Sequence, residues 1–136
     1  MKKLEHIGIA VRNLDEAEKR FARLLGTPPY KRETVESEQV TTSFFLTGDS
    51  KIELLASTQP GGVIDRFIEK HGEGIHHIAL ATDDIEAEIR RLKAEGFELV
   101  NDRPKKGADN KLVIFVHPRS TGGILVEYCQ EIKEED

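Results

Sequence analysis

Hydrophobic and polar positions follow the same order twice along this 136-residue chain. Each time, a stretch of alternating side chains, typical of a β-strand, is followed by apolar residues at helical spacing and then by further short apolar runs. Each helical stretch starts at an Asx residue, Asn13 or Asp84, and stops at a glycine, Gly26 or Gly96, as helix caps commonly do. The predicted order of elements is therefore β-α-β-β-β, repeated.

The bounds of the predicted elements follow from this pattern and from the turns rich in glycine and proline. In the first half we predict strands over 5–11, 40–46 and 51–56, a helix over 13–26 and, after a linker, a short helix over 63–70. In the second half we predict strands over 76–82, 97–100, 112–117 and 123–130, a helix aligned on Ile85, Ile89 and Leu92, and a polar loop over 104–111. The expected fold class is α+β, with two curved sheets facing each other across a cleft and the helices outside.

Length and composition restrict the classes of function that the chain can have. A chain of this length is one ordinary domain, residues 1–136, in which module one covers about 4–58, a linker helix about 60–72 and module two about 74–130. The formal net charge of −5 argues against a nucleic-acid partner, and the single cysteine, Cys129, excludes an intramolecular disulfide and a cysteine-based zinc site. No apolar stretch is long enough to span a membrane, so we expect a soluble cytoplasmic protein.

Two histidines and two glutamates recur in order, one pair in each half: His6 and Glu53, then His77 and Glu127. A carboxylate among the aliphatic residues of a strand is costly unless a cation accompanies it. Imidazole and carboxylate side chains at matched places in a duplicated fold indicate one divalent metal ion held between the halves.

The neighbours of both histidines support this interpretation. The residues that follow each histidine on its face of the strand are small: Gly8 and Ala10, then Ala79 and Ala81. We expect an open space there, because a packed face would use larger side chains. The alternative for any single strand histidine is a structural, hydrogen-bonded residue. We interpret His76 as a structural residue or as one that positions a metal ligand. His117 fits either a structural or a functional role.

At these residues the chain resembles the vicinal oxygen chelate superfamily and, within it, the methylmalonyl-CoA epimerase family. The resemblance extends from Leu4 to about Gln130, and its most specific segments are Leu4–Val11, Lys51–Leu55, Gly72–Ala79, Ile114–Pro118 and Gly122–Glu127. The double histidine at 76–77 and the Phe-Val-His-Pro segment favour the epimerases over glyoxalase I, which shares the fold and the metal frame.

The resemblance implies a function and a set of site residues. It implies interconversion of (R)- and (S)-methylmalonyl-CoA by α-proton abstraction through a metal-stabilised enolate. It places the metal ligands at His6, Glu53, His77 and Glu127, and among these Glu127 and Glu53 are the candidates for moving the proton. It suggests Co²⁺ as the ion, while the donor types also suit Mn²⁺, Ni²⁺, Mg²⁺ or Zn²⁺. Some relatives carry a further glutamate where this chain has Thr42, so the second base is open.

Four cationic residues of the second half are candidates for the phosphates of coenzyme A: Lys105, Lys106, Lys111 and Arg119. A solvated lysine face is the alternative. Alternatives also stand for the whole chain, namely a glyoxalase I-type isomerase and a non-enzymatic small-molecule-binding protein of the same fold. Single modules of this kind commonly pair across a two-fold axis, so we expect a homodimer.

Overall fold

The computed structural model describes residues 3–133 and confirms the α+β fold class. Its elements run β-α-β-β-β, a linking helix, and β-α-β-β-β again. The strands are β1 (Lys3–Ala10), β2 (Lys31–Val35), β3 (Val40–Thr47), β4 (Ser50–Ser57), β5 (Gly74–Ala81), β6 (Lys105–Gly107), β7 (Lys111–Val116) and β8 (Val126–Glu131). The helices are α1 (Leu14–Leu25), α2 (Val63–His71) and α3 (Ile85–Ala94), and short 3₁₀ turns lie at Glu36–Glu38 and Pro118–Ser120.

The chain divides into two compact units with matching strand orders. The first unit is His6–His76; among the described residues, the second combines 77–133 with 3–5. In the first unit the strand order is β2-β3-β4-β1, in which β1 pairs parallel to β4 and the other pairs are antiparallel. In the second unit the order is β5-β8-β7-β6, with β5 parallel to β8 and the other pairs antiparallel. The sequence repeat is therefore a repeat of strand pairing.

In the first unit, α1 forms where the Asx and glycine signals predict it. The Asn13 side chain accepts a hydrogen bond from the Glu16 backbone N–H, and Gly26 closes the helix at a φ of 73°, a conformation that favours glycine. The apolar stripe of α1 packs on a buried cluster formed by Val11, Ala17, Phe45, Leu54 and Ala56. This packing fixes one face of β4 and leaves Glu53 on the other.

In the second unit, α3 has the same role. The Asp84 side chain accepts from the Ala87 N–H at 3.0 Å, and the Gln130 side chain accepts from the Ile85 N–H at 2.7 Å. The buried face of α3 packs with residues of β7 and β8 in a cluster of Ile85, Ile89, Leu92, Ile114, Val116 and Tyr128. Because Tyr128 lies in this cluster, its neighbour Glu127 points to the opposite face of β8.

Strand β2 completes the predicted order of the first half, but the sequence pattern gives no bounds for it. Its sequence, Lys-Arg-Glu-Thr-Val, has almost no alternation of apolar and polar residues. The strand lies at the end of the strand order, where one of its faces is half-buried and the other is exposed, so it needs few apolar side chains. Charged residues are common on such edge strands, where they discourage pairing with other chains.

The elements between α3 and β7 also differ from the prediction. Residues 97–100, predicted as a strand, make a single isolated bridge between Leu99 and Val116, and the Phe97 and Leu99 side chains pack against the α3 cluster. The predicted loop over 104–111 instead contains β6, which pairs antiparallel with β7. The turn that joins β6 and β7 holds Asp109 and Asn110 at positive φ, 61° and 56°, where Asp and Asn are tolerated better than most residues.

Arg32 of β2 holds this edge strand to α1, and replacing it tests that contact. Its Nε donates to Glu18 and its Nη2 to Asp15, both at 2.5 Å, and these hydrogen bonds lower the pKa of both carboxyl groups. A carboxyl group with a lowered pKa in the folded state stabilises the fold above its ordinary pKa, and that contribution is lost as the pH falls through the lowered value. We expect Arg32→Gln to lower the urea midpoint at about pH 7 and to have a smaller effect at about pH 2.5.

The matched control is Arg20→Gln on the exposed face of α1, which should leave the midpoint unchanged. An equal loss of stability in Arg32→Gln at both pH values would contradict an ionic role for this contact.

Candidate metal and substrate site

In the first unit, strand register brings His6 and Glu53 together. Gly8 of β1 lies directly beside Glu53 of parallel β4, and His6 shares the face of Gly8. Gly8 has no side chain, so the imidazole of His6 can reach along the strand toward the carboxylate. The His6 Nδ1 lies 3.0 Å from Glu53 Oε2, and both residues are buried.

In the second unit, the same construction joins His77 and Glu127. Ala79 of β5 lies beside Glu127 of parallel β8, and His77 precedes Ala79 on the same face. The His77 Nε2 lies 3.5 Å from Glu127 Oε1, and again both residues are buried. The structure therefore places the four predicted ligands as two buried histidine–glutamate pairs, one in each unit.

An aromatic ring flanks each glutamate on the side away from the small residue. Phe44 of β3 lies directly opposite Glu53, and Phe115 of β7 lies directly opposite Glu127. The His77 and Phe115 rings meet edge to face, with centroids 6.2 Å apart. Each carboxylate thus has an imidazole as its polar neighbour and an apolar wall beside it, an environment that favours a bound cation.

The donor atoms of each pair fit adjacent positions around a metal ion. Ligands about 2.1 Å from an ion are about 3.0 Å apart in neighbouring octahedral positions and about 3.4 Å apart in tetrahedral ones. The two observed separations, 3.0 Å and 3.5 Å, lie at these values. Imidazole nitrogen and carboxylate oxygen are ligands for first-row divalent ions, so the residues present fit the predicted metal.

The sequence predicted an open space beside the small residues that follow each histidine. Two of these residues, Ala10 and Ala79, are instead packed against other side chains. Ala10 is fully buried in a cluster with Leu55 and with Ile64 and Ile68 of α2. Ala79 is fully buried in a cluster with Val113 and Cys129. Their small size instead allows the strands to carry a histidine and a glutamate side by side beneath packed side chains.

Two of the other histidines, His76 and His117, have structural contacts. His117 Nδ1 accepts a hydrogen bond from the Arg119 N–H at 3.0 Å and so caps the short turn at Pro118–Ser120. The His76 ring packs edge to face against Phe67, with centroids 4.7 Å apart, and burial lowers the pKa of His76 to about 4. His76 is therefore neutral at pH 7.

The four cationic candidates differ in their surroundings. Lys111 is buried, and its ammonium lies 3.8 Å from both Asp109 and Glu131. Arg119 makes two hydrogen bonds to the Glu98 carboxylate, at 2.8 and 3.0 Å. Both therefore already have carboxylate partners within the protein.

Lys105 and Lys106 form the second group of these candidates. Both are exposed, and the ammonium of Lys105 lies over the Phe115 ring, 5.7 Å from its centroid.

Sequence reasoning missed the flanking phenylalanines and the residues around Thr42. Thr42 is buried and lies opposite Leu55 on β4 and Glu33 on β2. Because side chains alternate along a strand, one of the two neighbouring rings, Phe44 or Phe45, must lie on the face of the sheet that carries Glu53. Only the register shows that Phe44 is the ring directly opposite that carboxylate.

Comparison with known proteins identifies the family. Residues 5–115 match the family model described as the Glyoxalase/Bleomycin resistance protein/Dioxygenase superfamily. The chain belongs to this superfamily. The Bacillus subtilis protein YqjC is 35% identical over 96% of this chain and 93% of its own length. The ethylmalonyl-CoA/methylmalonyl-CoA epimerase of Cereibacter sphaeroides is 37% identical over 94% of this chain and 97% of its own length.

Solved structures agree with these relatives. Methylmalonyl-CoA epimerase from Mycobacterium tuberculosis has a TM-score of 0.89 and 30% identity, covering 96% of this chain and 88% of its own. A variant of the Streptomyces coelicolor epimerase in complex with 2-nitronate-propionyl-CoA has a TM-score of 0.88 and 28% identity, covering 98% and 97%. The resemblance to the epimerases and the expectation of an isomerase are confirmed. Among the described residues, no helix is long and apolar enough to cross a membrane.

The burial of the His6–Glu53 pair predicts a stability effect that is separate from activity. In the presence of a chelator, His6→Leu should lower the free energy of unfolding by about 1–3 kcal/mol, because it leaves Glu53 buried without its imidazole partner. The double variant His6→Leu/Glu53→Leu should recover much of that loss, because replacing a buried ionisable pair with apolar residues is often neutral or stabilising. Urea unfolding measures both. A double variant less stable than either single variant would contradict this description of the pair.

Proposed function

We propose that the protein is a metal-dependent epimerase that interconverts (R)- and (S)-methylmalonyl-CoA by removing and returning the α-proton. The observation that carries this proposal is the duplicated, buried histidine–glutamate pair. Further support comes from relatives named as epimerases of methylmalonyl-CoA and from a neighbour in complex with an acyl-CoA analogue.

The reaction sets two chemical requirements. The α-carbon of a malonyl-type thioester lies between two carbonyl groups, and its proton is still too weakly acidic for water to remove at neutral pH. A positioned base must take the proton from one face, and an acid must return it to the other. Positive charge must also be available for the enolate oxygen that forms.

We propose that His6, Glu53, His77 and Glu127 together hold one divalent ion per chain. When bound, such an ion supplies positive charge for the oxygens of the substrate. The donor set of two imidazoles and two carboxylates suits Co²⁺, which the family resemblance favours, and equally suits Mn²⁺, Ni²⁺, Mg²⁺ or Zn²⁺. The two carboxylates balance the charge of the ion, so the site as a whole is close to neutral.

Glu127 and Glu53 are the proposed proton-moving groups. Each carboxylate has a phenylalanine directly opposite it, which limits the access of water to the carboxylate. Thr42 carries no ionisable group, so the second face depends on Glu53 in this proposal.

Coenzyme A phosphates require cationic partners, and the proposal assigns them first to Lys105 and Lys106. These two ammonium groups are exposed on an edge strand. Lys111 and Arg119 remain predicted phosphate ligands of lower rank, because binding phosphate would compete with their carboxylate partners.

A homodimer and a cytoplasmic location complete the proposal. A glyoxalase I-type isomerase is the alternative that the Glu53 ligand also fits. A non-enzymatic binding protein would have no need for four buried metal-ligand side chains. Incubation with one epimer of methylmalonyl-CoA in deuterated water separates these functions, because only the epimerase exchanges the α-proton and loses the chirality of the substrate.

Metal binding is the first prediction from this proposal. Wild-type protein should bind one divalent ion per chain, and a saturating ion should raise the melting temperature, because it binds the folded state alone. His6→Ala and His77→Ala should each abolish this shift and lower the metal content measured by elemental analysis. The control His71→Ala, at the exposed end of α2, should behave as wild type. Retention of full metal content in both ligand variants would contradict the site.

The second prediction separates metal binding from proton transfer. Glu127→Gln should lower kcat by about 10²-fold or more while binding the ion, because an amide oxygen still ligates but accepts no proton. Glu53→Gln should likewise keep the ion. It should still exchange the α-proton of one epimer with deuterium but lose interconversion, since the opposite face lacks its acid.

The rescue for this experiment is Thr42→Glu in the Glu53→Gln background, which should recover part of the epimerisation. Full activity of Glu53→Gln would assign Glu53 to metal binding alone.

A further inference from the structure

A row of side chains crosses the sheet of the first unit on the face that carries the histidine–glutamate pair. Lys31 of β2 lies directly opposite Phe44 of β3, Phe44 lies opposite Glu53 of β4, and Glu53 lies beside Gly8 of β1. Directly paired residues share a face, so one phenyl ring separates the Lys31 side chain from the Glu53 carboxylate.

The ammonium of Lys31 is held over that ring. Its Nζ lies 4.8 Å from the Phe44 ring centroid and 3.7 Å from Glu33 Oε1. Phe44 and Glu53 are buried, whereas the Lys31 side chain keeps 36% of its surface exposed. From β4 to β2, the row therefore consists of the buried Glu53 carboxylate, the buried Phe44 ring and the half-exposed Lys31 ammonium.

The second unit contains the same combination. Phe115 lies opposite Glu127, and the Lys105 ammonium lies over the Phe115 ring at 5.7 Å. The strands that supply these lysines read Lys-Arg-Glu-Thr-Val and Lys-Lys-Gly and share little else. A lysine that only discourages edge pairing has no reason to fold over the ring beside the glutamate in both units.

We propose that Lys31 binds the free carboxylate of the malonyl-type acyl group. This inference rests on the proposed function and adds the residue that recognises the acid group of the substrate. In such a thioester the carboxylate is attached to the reacting α-carbon, so it must lie near Glu53 if Glu53 moves the α-proton. The phosphates lie at the other end of the pantetheine chain.

The contacts of Lys31 suit this role. An ammonium presents three donor hydrogens, and the Phe44 ring and Glu33 together set its direction. Its ion pair with Glu33 measures 3.7 Å, which is longer than a hydrogen bond. Close to a nearly neutral metal site, this ammonium supplies the charge that an anionic acyl group requires.

Two ligands that differ only in the acid group test the inference. Methylmalonyl-CoA carries the carboxylate, and propionyl-CoA has hydrogen in its place. Dissociation constants are measured by titration calorimetry on the metal-loaded protein. Lys31→Met should weaken binding of methylmalonyl-CoA about tenfold or more, the usual effect of losing a charge-assisted hydrogen bond, and should change propionyl-CoA binding less than about twofold. Lys31→Arg should retain much of the preference.

Two further variants serve as controls. Lys19→Met, on the exposed face of α1, should change neither constant. Lys106→Met, at the proposed phosphate site, should weaken both ligands by the same factor, since both carry coenzyme A. Circular dichroism establishes that each variant is folded.

Equal weakening of both ligands by Lys31→Met, or no weakening of either, would overturn the inference while leaving the epimerase proposal intact. Failure of the proposed function has a different signature, in which the wild-type protein does not exchange the α-proton of methylmalonyl-CoA. That result would remove the basis of the Lys31 assignment as well.

Discussion

The burial of two carboxylates, Glu53 and Glu127, is the constraint around which this structure is organised. A buried charge is costly in an apolar surrounding unless a partner offsets it, and each glutamate here has an imidazole on one side and a phenyl ring on the other. The remaining elements hold those neighbours in register. Helices α1 and α3 cover the opposite faces of the strands, so that the glutamates cannot turn away from their histidines.

Duplication explains how a short chain builds two buried histidine–glutamate pairs from one repeated arrangement of strands and a helix. Each unit needs one strand pair in parallel, because that pairing sets a small residue, Gly8 or Ala79, beside the glutamate and leaves the preceding histidine within reach of it. Parallel pairing requires a crossover, which α1 or α3 provides. One solution to the packing problem, used twice, gives a buried histidine–glutamate pair in each unit, and these are the four donors that we propose for a divalent ion.

The sequence was sufficient where the signal is local. Alternation, Asx caps and the recurring histidine and glutamate predicted the repeated order of elements and the occurrence of one histidine and one glutamate together in each half. The sequence was insufficient where pairing between distant segments of the chain decides which residues lie side by side. Strands β2 and β6 carry mostly charged residues because they lie at the two ends of the strand order, and only strand register brings Phe44 and Lys31 into line with Glu53. The carboxylate partners of Lys111 and Arg119 likewise come from residues distant in the chain or from turns with unpredicted geometry.

We propose that both histidine–glutamate pairs bind the same ion. X-ray absorption spectroscopy at the cobalt edge tests this most directly, because it counts the imidazole rings around the metal without reference to activity. The account predicts two imidazoles and otherwise oxygen ligands in the wild-type protein loaded with one Co²⁺ per chain. It also predicts a single imidazole for whatever cobalt remains bound in His6→Ala or in His77→Ala. A wild-type spectrum with one imidazole, or with none, would contradict it.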